Sequence, residues 1–142
     1  MKSVEKERNT MTFPAMPKAV HQFYAGSQAA DADLWAGAFA ENGLFHDPVG
    51  SEPIRGREAI LARLRKVIPQ FDPFLGITPV DAYTTGSQTA VHWRGAVVTT
   101  DGKPVNWSGI SVFRLDEDGL IAELWAYFHH GVFTAQLGDS EH

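Results

Sequence analysis

Three turn signals cut the second half of the chain into strands and largely dictate its architecture. Thr85-Gly86, Asp101-Gly102 and Asp116-Glu117-Asp118-Gly119 separate four β-rich runs: Phe74 to Tyr83, Thr89 to Thr100, Lys103 to Leu115, and Leu120 to about His130. Asp-Gly between two such runs is a strong short-range hairpin signal, so the runs predict an antiparallel meander. The first half has a helical period instead. Met16, Val20, Phe23 and Tyr24 follow i, i+4, i+7, i+8 spacing and predict a helix from Pro14 to Gly26-Ser27. Asp31 or Ser27 caps a second helix with Leu34, Trp35, Ala38 and Phe39 on its apolar face. Asn42-Gly43 turns into a short strand over 44–47 that Pro48 stops, and a third helix carrying Ile60, Leu61, Leu64, Val67 and Ile68 ends at Pro69. Helices first and strands afterwards predict one α+β domain over 14–142, with helices packed on one face of an antiparallel sheet. Residues 1–13 are polar and aperiodic, and read as a flexible lead-in.

Composition removes several function classes. A net charge of −5 without a dense basic stripe argues against nucleic acid as a partner, because phosphate neutralisation dominates that affinity. With no cysteine there is no disulfide, thiolate nucleophile or Cys-ligated zinc. No apolar run approaches the roughly 20 residues of a membrane helix, and the charged start, Met1 to Arg8, lacks the apolar stretch of a signal peptide. A cytoplasmic protein without membrane partners is the expectation. Asn106-Trp107-Ser108 matches a glycosylation sequon, which should stay unmodified in that compartment.

The hairpins sort side chains onto two faces. A two-residue loop at Asp101-Gly102 places His92 opposite Ser111, Arg94 opposite Gly109 and Trp93 opposite Ile110. A four-residue loop from Asp116 to Gly119 places Trp107 opposite Phe128. One face then holds His92, Arg94, Trp107, Ser111, Phe113, Phe128 and His130 around the small Gly109 and Ala126. Apolar walls with a few placed polar atoms make a ligand pocket. Placement of His92 and Arg94 at solvent-reaching strand ends is the alternative. The other face, with Trp93, Ile110, Val112, Trp125 and Tyr127, is apolar enough to need covering, and predicts a homodimer through the outer sheet face.

Asp47 ends a strand beside an aromatic helix face, where a partly desolvated carboxylate can serve as a general base. The segment Phe39-Ala-Glu-Asn-Gly-Leu-Phe-His-Asp47-Pro-Val-Gly-Ser-Glu-Pro53, followed by Gly56-Arg-Glu-Ala-Ile60, resembles the base-bearing segment of ketosteroid isomerases. Val112-Phe-Arg-Leu-Asp-Glu-Asp-Gly-Leu-Ile-Ala-Glu-Leu-Trp-Ala-Tyr127 resembles the closing hairpin of the same superfamily, the nuclear transport factor 2-like proteins. That group includes SnoaL-like polyketide cyclases, scytalone dehydratase and limonene epoxide hydrolase. The resemblance spans about residues 14 to 137. It implies a cone-shaped roll, in which three N-terminal helices close a strongly curved sheet around a pocket. It also implies that Asp47 is the catalytic base. In ketosteroid isomerases the base works with an oxyanion hole of a Tyr and a protonated Asp. Counting from Asp47, those positions fall on Phe23, which cannot donate a hydrogen bond, and on Ser111. Tyr24 is one helical step, about 100°, away from Phe23.

These residues predict an enzyme acting on a small hydrophobic carbonyl compound without a cofactor. Asp47 would move a proton, with Ser111, His92, Arg94 and Trp107 as candidate donors. Phe23, Trp35, Trp107, Phe113, Phe128 and His130 would form the walls. Isomerase, cyclase and dehydratase chemistry all fit. Arg94, if buried, needs an anion, either Asp47 or an acidic ligand group. His92, His130 and Asp47 make a two-His, one-carboxylate set, but without spacing that supports a metal. Arg57, Arg63, Arg65 and Lys66 read as a solvated helix face. The competing function is a non-catalytic ligand-binding or dimerisation module, because fold alone does not settle activity.

Overall fold

The structure, a computed structural model, describes residues 13–139. Helices α1 (Lys18–Gln28) and α2 (Ala32–Ala36) precede strands β1 (Phe39–His46) and β2 (Ile54–Arg55). Helix α3 (Arg57–Val67) and a single 3-10 turn (Ile68–Gln70) lead into β3 (Phe71–Thr85), β4 (Gln88–Thr99), β5 (Pro104–Leu115) and β6 (Ile121–Phe128). Helix α4 (His130–Asp139) follows. The strands form one curved sheet in the order β2-β1-β6-β5-β4-β3. β3 to β6 are the antiparallel meander, whereas β1 runs parallel to β6. The sheet is therefore mixed rather than antiparallel. No hairpin joins β1 to β6, so nothing in the turn chemistry constrains their relative direction.

Helix α1 does not stop at Gly26-Ser27. The Ser27 hydroxyl donates to Tyr24 O at 2.8 Å and accepts from Ile77 N at 3.0 Å, so it stitches the helix to β3 instead of breaking it. Asp31 caps α2 by accepting from Leu34 N at 3.0 Å. That helix spans five residues, and Phe39 lies in β1 rather than on it. Trp35, Phe39, Leu64 and Phe113 are buried in the core between helices and sheet. The lead-in expected over residues 1–13 lies outside the described residues except for Phe13, whose ring sits 5.0 Å from His21.

The β4–β5 turn decides which side chains face inward. It contains three residues, Thr100 to Gly102, rather than two: Thr99 N donates to Lys103 O and Gly102 N to Thr99 O, both at 2.9 Å. Gly102, at φ +89°, supplies the left-handed residue that closes such a loop. The extra residue slips β4 by one, pairing Val91 with Ser111, Trp93 with Gly109 and Arg94 with Ser108. A one-residue slip turns every side chain over. Thr89, Val91, Trp93, Val97 and Thr99 are buried, and His92 and Arg94 are exposed on the outer face. The β5–β6 pairing is also displaced, but by two residues, with Ser111 opposite Ala126 and Gly109 opposite Phe128. A shift of two preserves the faces.

Two tryptophans lie over glycines on the inner face. Trp93 is paired with Gly109 and Trp107 with Gly95, the indole centroids 6.3 Å apart and nearly perpendicular. A Cβ on Gly95 would stand 2.6 Å from the Trp107 ring, and one on Gly109 2.7 Å from that of Trp93. Gly95→Ala should therefore push Trp107 off the sheet, at a cost of about 1–3 kcal/mol of overpacking. Thermal melts check this, and an unchanged Tm would refute the steric argument.

β6 ends at Phe128, and His130 opens α4 instead of continuing the strand. β5 runs beyond its last partner on β6, leaving an open edge. Gln136 of α4 fills it: Asn106 N donates to Gln136 Oε1 at 3.0 Å, and Gln136 Nε2 donates to Asn106 O at 2.7 Å. One side-chain amide takes the place of a neighbouring strand, and Phe133 packs on Trp107 at 4.7 Å. Among the described residues, no helix is long and apolar enough to cross a membrane.

Candidate active site

A cavity of about 220 Å³ opens between the helices and the concave face of the sheet. Its walls are aromatic: Phe23 and Tyr24 from α1, Trp35 from α2, Phe45 from β1, Trp93 and Trp107 from the sheet, Phe128 from β6 and Phe133 from α4. Ser111 lies in the same wall, and Asp47, Arg63 and His130 are lining residues that remain exposed, marking the mouth. Phe113 is fully buried behind the lining, 5.2 Å from Phe23 and 5.8 Å from Tyr24.

Asp47 follows β1, whose parallel pairing sets His46 beside Trp125. Val49 N donates to Ala126 O at 2.8 Å and holds the segment against β6. The carboxyl is accessible at the cavity mouth, yet protein crowds it from the other sides. Desolvation dominates and pushes its pKa up to about 6, while the charges of Arg63 and His130 pull it back down.

The expected partners of Asp47 are absent. Arg94 and His92 lie on the opposite side of the sheet and cannot donate into the cavity. The two-His, one-carboxylate set is dispersed for the same reason, and among the described residues no three His, Asp or Glu side chains gather as metal ligands. Arg63 and His130 face the carboxylate instead, though neither is in ion-pair contact with it among the described residues. The charge pattern of α3 places Arg63 on a solvated helix face, whereas the structure sets it at the cavity mouth. Arg63 lies four residues before Val67, which also lines the cavity, but only the docking of α3 shows that this helix face meets the site.

Tyr24 also departs from expectation. Residues 23 and 24 are both buried, because α1 is enclosed over a face wider than one 100° step. The Tyr24 hydroxyl sits beside Ser111 without a well-formed hydrogen bond among the described residues. Burial raises its pKa well above the usual phenol value, the neighbouring Ser111 only partly opposing this, so the group stays protonated. Trp93, expected on the outer face, donates from Nε1 to Ser111 Oγ at 2.8 Å. That bond occupies a Ser111 lone pair and leaves its proton free to donate. Trp35 Nε1 is a second buried donor without a partner among the described residues.

A helix-closed curved sheet thus surrounds an apolar cavity with a few inward polar groups. Residues 20–124 match the family model of the SnoaL-like domain, and the chain belongs to that family. Among solved structures, it is similar to a hypothetical protein with a ketosteroid isomerase-like fold from Catenulispora acidiphila DSM 44928, in complex with trimethylamine. That match has 17% identity and TM-score 0.76, covering 87% of this chain and 95% of that one. It is also similar to an LEH-like epoxide hydrolase of M. tuberculosis, at 21% identity and TM-score 0.71, covering 86% of this chain and 88% of that one. No curated protein matches the sequence. At these identities the likeness shows the nuclear transport factor 2-like fold, which hosts isomerases, cyclases and epoxide hydrolases.

Proposed function

We propose that the chain is a cofactor-independent enzyme that moves a proton next to the carbonyl of a small hydrophobic compound, with Asp47 as general base. The observation that carries this reading is one cavity holding two complementary groups. At its mouth is a carboxyl pushed up to about 6, and in its wall is a protonated phenol that makes no complete hydrogen bond among the described residues and lies beside the Ser111 hydroxyl. Asp47 takes the proton from the carbon next to the carbonyl, and the C–H electron pair becomes the enolate. Tyr24 and Ser111 donate to the enolate oxygen, in place of the donors that Phe23 and the absent second Asp do not supply. Return of the proton at a different carbon isomerises the substrate. Attack of the enolate on a second carbonyl closes a ring, the new alkoxide taking the proton back from Asp47; alternatively a β-hydroxyl, protonated by Asp47, leaves as water and dehydrates the substrate.

Size narrows the substrate. A 150 Å³ apolar cavity holds benzene. On that scale the cavity here suits about ten non-hydrogen atoms, one or two rings rather than the four of a steroid. The test is α-carbon exchange: phenylacetone in D₂O should incorporate deuterium faster with the protein than with buffer, followed by NMR. Exchange no faster than in buffer, with phenylacetone shown to bind, favours a binding module of the same fold.

The proposed assembly is a homodimer through the outer sheet face. That face lacks Trp93 but carries Ile110 and Tyr127, 51% and 49% exposed, beside half-buried Val112 and Trp125. A polar network flanks it: His46 Nε2 lies 2.8 Å from Glu123 Oε2, and Arg114 donates to Glu123 Oε1 at 3.3 Å. Ile110→Glu places a charge at the centre of this patch and should halve the sedimenting mass. A monomeric unmodified protein would refute the assembly.

A further inference from the structure

Three arginines on α3 meet three different fates. Arg57 Nε donates to Phe39 O at 2.8 Å, and Arg65 pairs with Asp33 at 2.9 Å, so both anchor the helix. Arg63 has no ion-pair or hydrogen-bond partner among the described residues, and it is the arginine that lines the cavity. Arg63 lies four residues before Val67, so both side chains share one helix face, and Val67 also lines the cavity. His130, at the start of α4, lies at the same mouth, and both bear on Asp47 electrostatically.

The polar inventory of the cavity is lopsided. Tyr24, Ser111, Trp35, Arg63 and His130 all bring donors, and Asp47 is the one carboxylate in the lining. A ligand that fits must therefore bring acceptors at two levels, a neutral oxygen in the wall and a second group at the mouth. We propose that Arg63, assisted by His130, recognises a carboxylate on the substrate, which makes the preferred substrate a compact apolar keto acid. The inference rests on the proton-transfer reading for the reacting carbon, and adds what holds the other end of the molecule. A guanidinium fork matches a planar carboxylate with two parallel hydrogen bonds. At the rim of an apolar recess such a pair is less screened than on an open surface. A monoanion suits a rim that also carries Asp47, whereas a phosphate dianion would face that carboxylate with twice the charge.

The test uses two probes of nearly equal size and shape, phenylacetate and its neutral analogue phenylacetone, titrated calorimetrically into the full chain. The unmodified protein should bind phenylacetate about tenfold tighter, the scale of one charge-assisted hydrogen bond. Arg63→Met should weaken phenylacetate about tenfold and leave phenylacetone within twofold, and Arg63→Lys should restore part of the preference. Arg65→Met, on the same helix but paired with Asp33, should change neither. Arg63 is exposed, so its replacement leaves the core intact. Equal binding of the two probes, or a preference that survives Arg63→Met, overturns the proposal and leaves the proton-transfer reading standing. Failure of both probes to bind overturns both.

Discussion

Asp47→Asn should slow the protein-catalysed exchange of phenylacetone α-protons by about 10²–10⁴-fold, the span general-base catalysis contributes. The amide keeps the shape of the side chain and removes its basic lone pair, so phenylacetone affinity should change little. A rate falling less than tenfold would move the base elsewhere. The carboxyl of the unmodified protein must be ionised to accept a proton. With its pKa pushed up to about 6, exchange should rise with pH through that value and level off above it. The same shift acts on stability with the opposite sign. Between the unfolded value near 4 and the folded value near 6, the native state holds the proton more tightly. Stability from this group is thus complete below about pH 4 and is lost as pH rises through 6. Asp47→Asn escapes that penalty. It should raise Tm at pH 8 relative to the unmodified protein, with the gap closing near pH 4. A variant that is both inactive and more stable is the signature of a group kept for chemistry rather than for folding.

The fold was legible because its signals are local. Turn dipeptides cut the strands, and the period-2 and period-3.6 patterns marked which segments were which. The inward face of β5 and β6 was readable too, since an error of two residues in their register leaves the faces unchanged. β4 was not, for a physical reason. A three-residue loop closed by Gly102 and a two-residue Asp-Gly loop look alike in sequence, and the difference inverts the strand. That inversion moved His92 and Arg94 out and Trp93 in. The pairs Trp93/Gly109 and Gly95/Trp107 carried the missing information, since a large ring needs a glycine opposite it when both face inward. Arg63 and Phe133 escaped because their membership in the cavity depends on how α3 and α4 dock, which no local pattern encodes. Tyr24 escaped because a 100° step along a helix ordinarily leaves a site, whereas α1 is enclosed on more than one side.

Tyr24→Phe should lower the exchange rate by about 10²–10³-fold with a small effect on phenylacetone affinity, as expected when a donor acts mainly on charge developing in the transition state. The phenol is already prepared for that task. Burial keeps it protonated, so at neutral pH it donates and does not compete with Asp47 as a base. It forms no complete hydrogen bond among the described residues, so no existing partner must be given up when the enolate forms. Ser111 stands next to it, its oxygen occupied by the Trp93 indole N–H and its proton free. Stability should move the other way. A buried hydroxyl with only an incomplete contact to Ser111 among the described residues costs part of the roughly 1–3 kcal/mol of an unmet hydrogen bond, and phenylalanine removes it at nearly constant volume, so the ligand-free variant should melt higher. Ser111→Ala separates the two donors. If Tyr24 carries most of the stabilisation, the serine variant retains most of the rate and Tyr24→Phe does not. Equal, non-additive losses would mean that the two hydroxyls act as one unit on the same oxygen. An unchanged rate in Tyr24→Phe would remove Tyr24 from the oxyanion site and leave Ser111 as the donor in this wall, which the serine variant then tests.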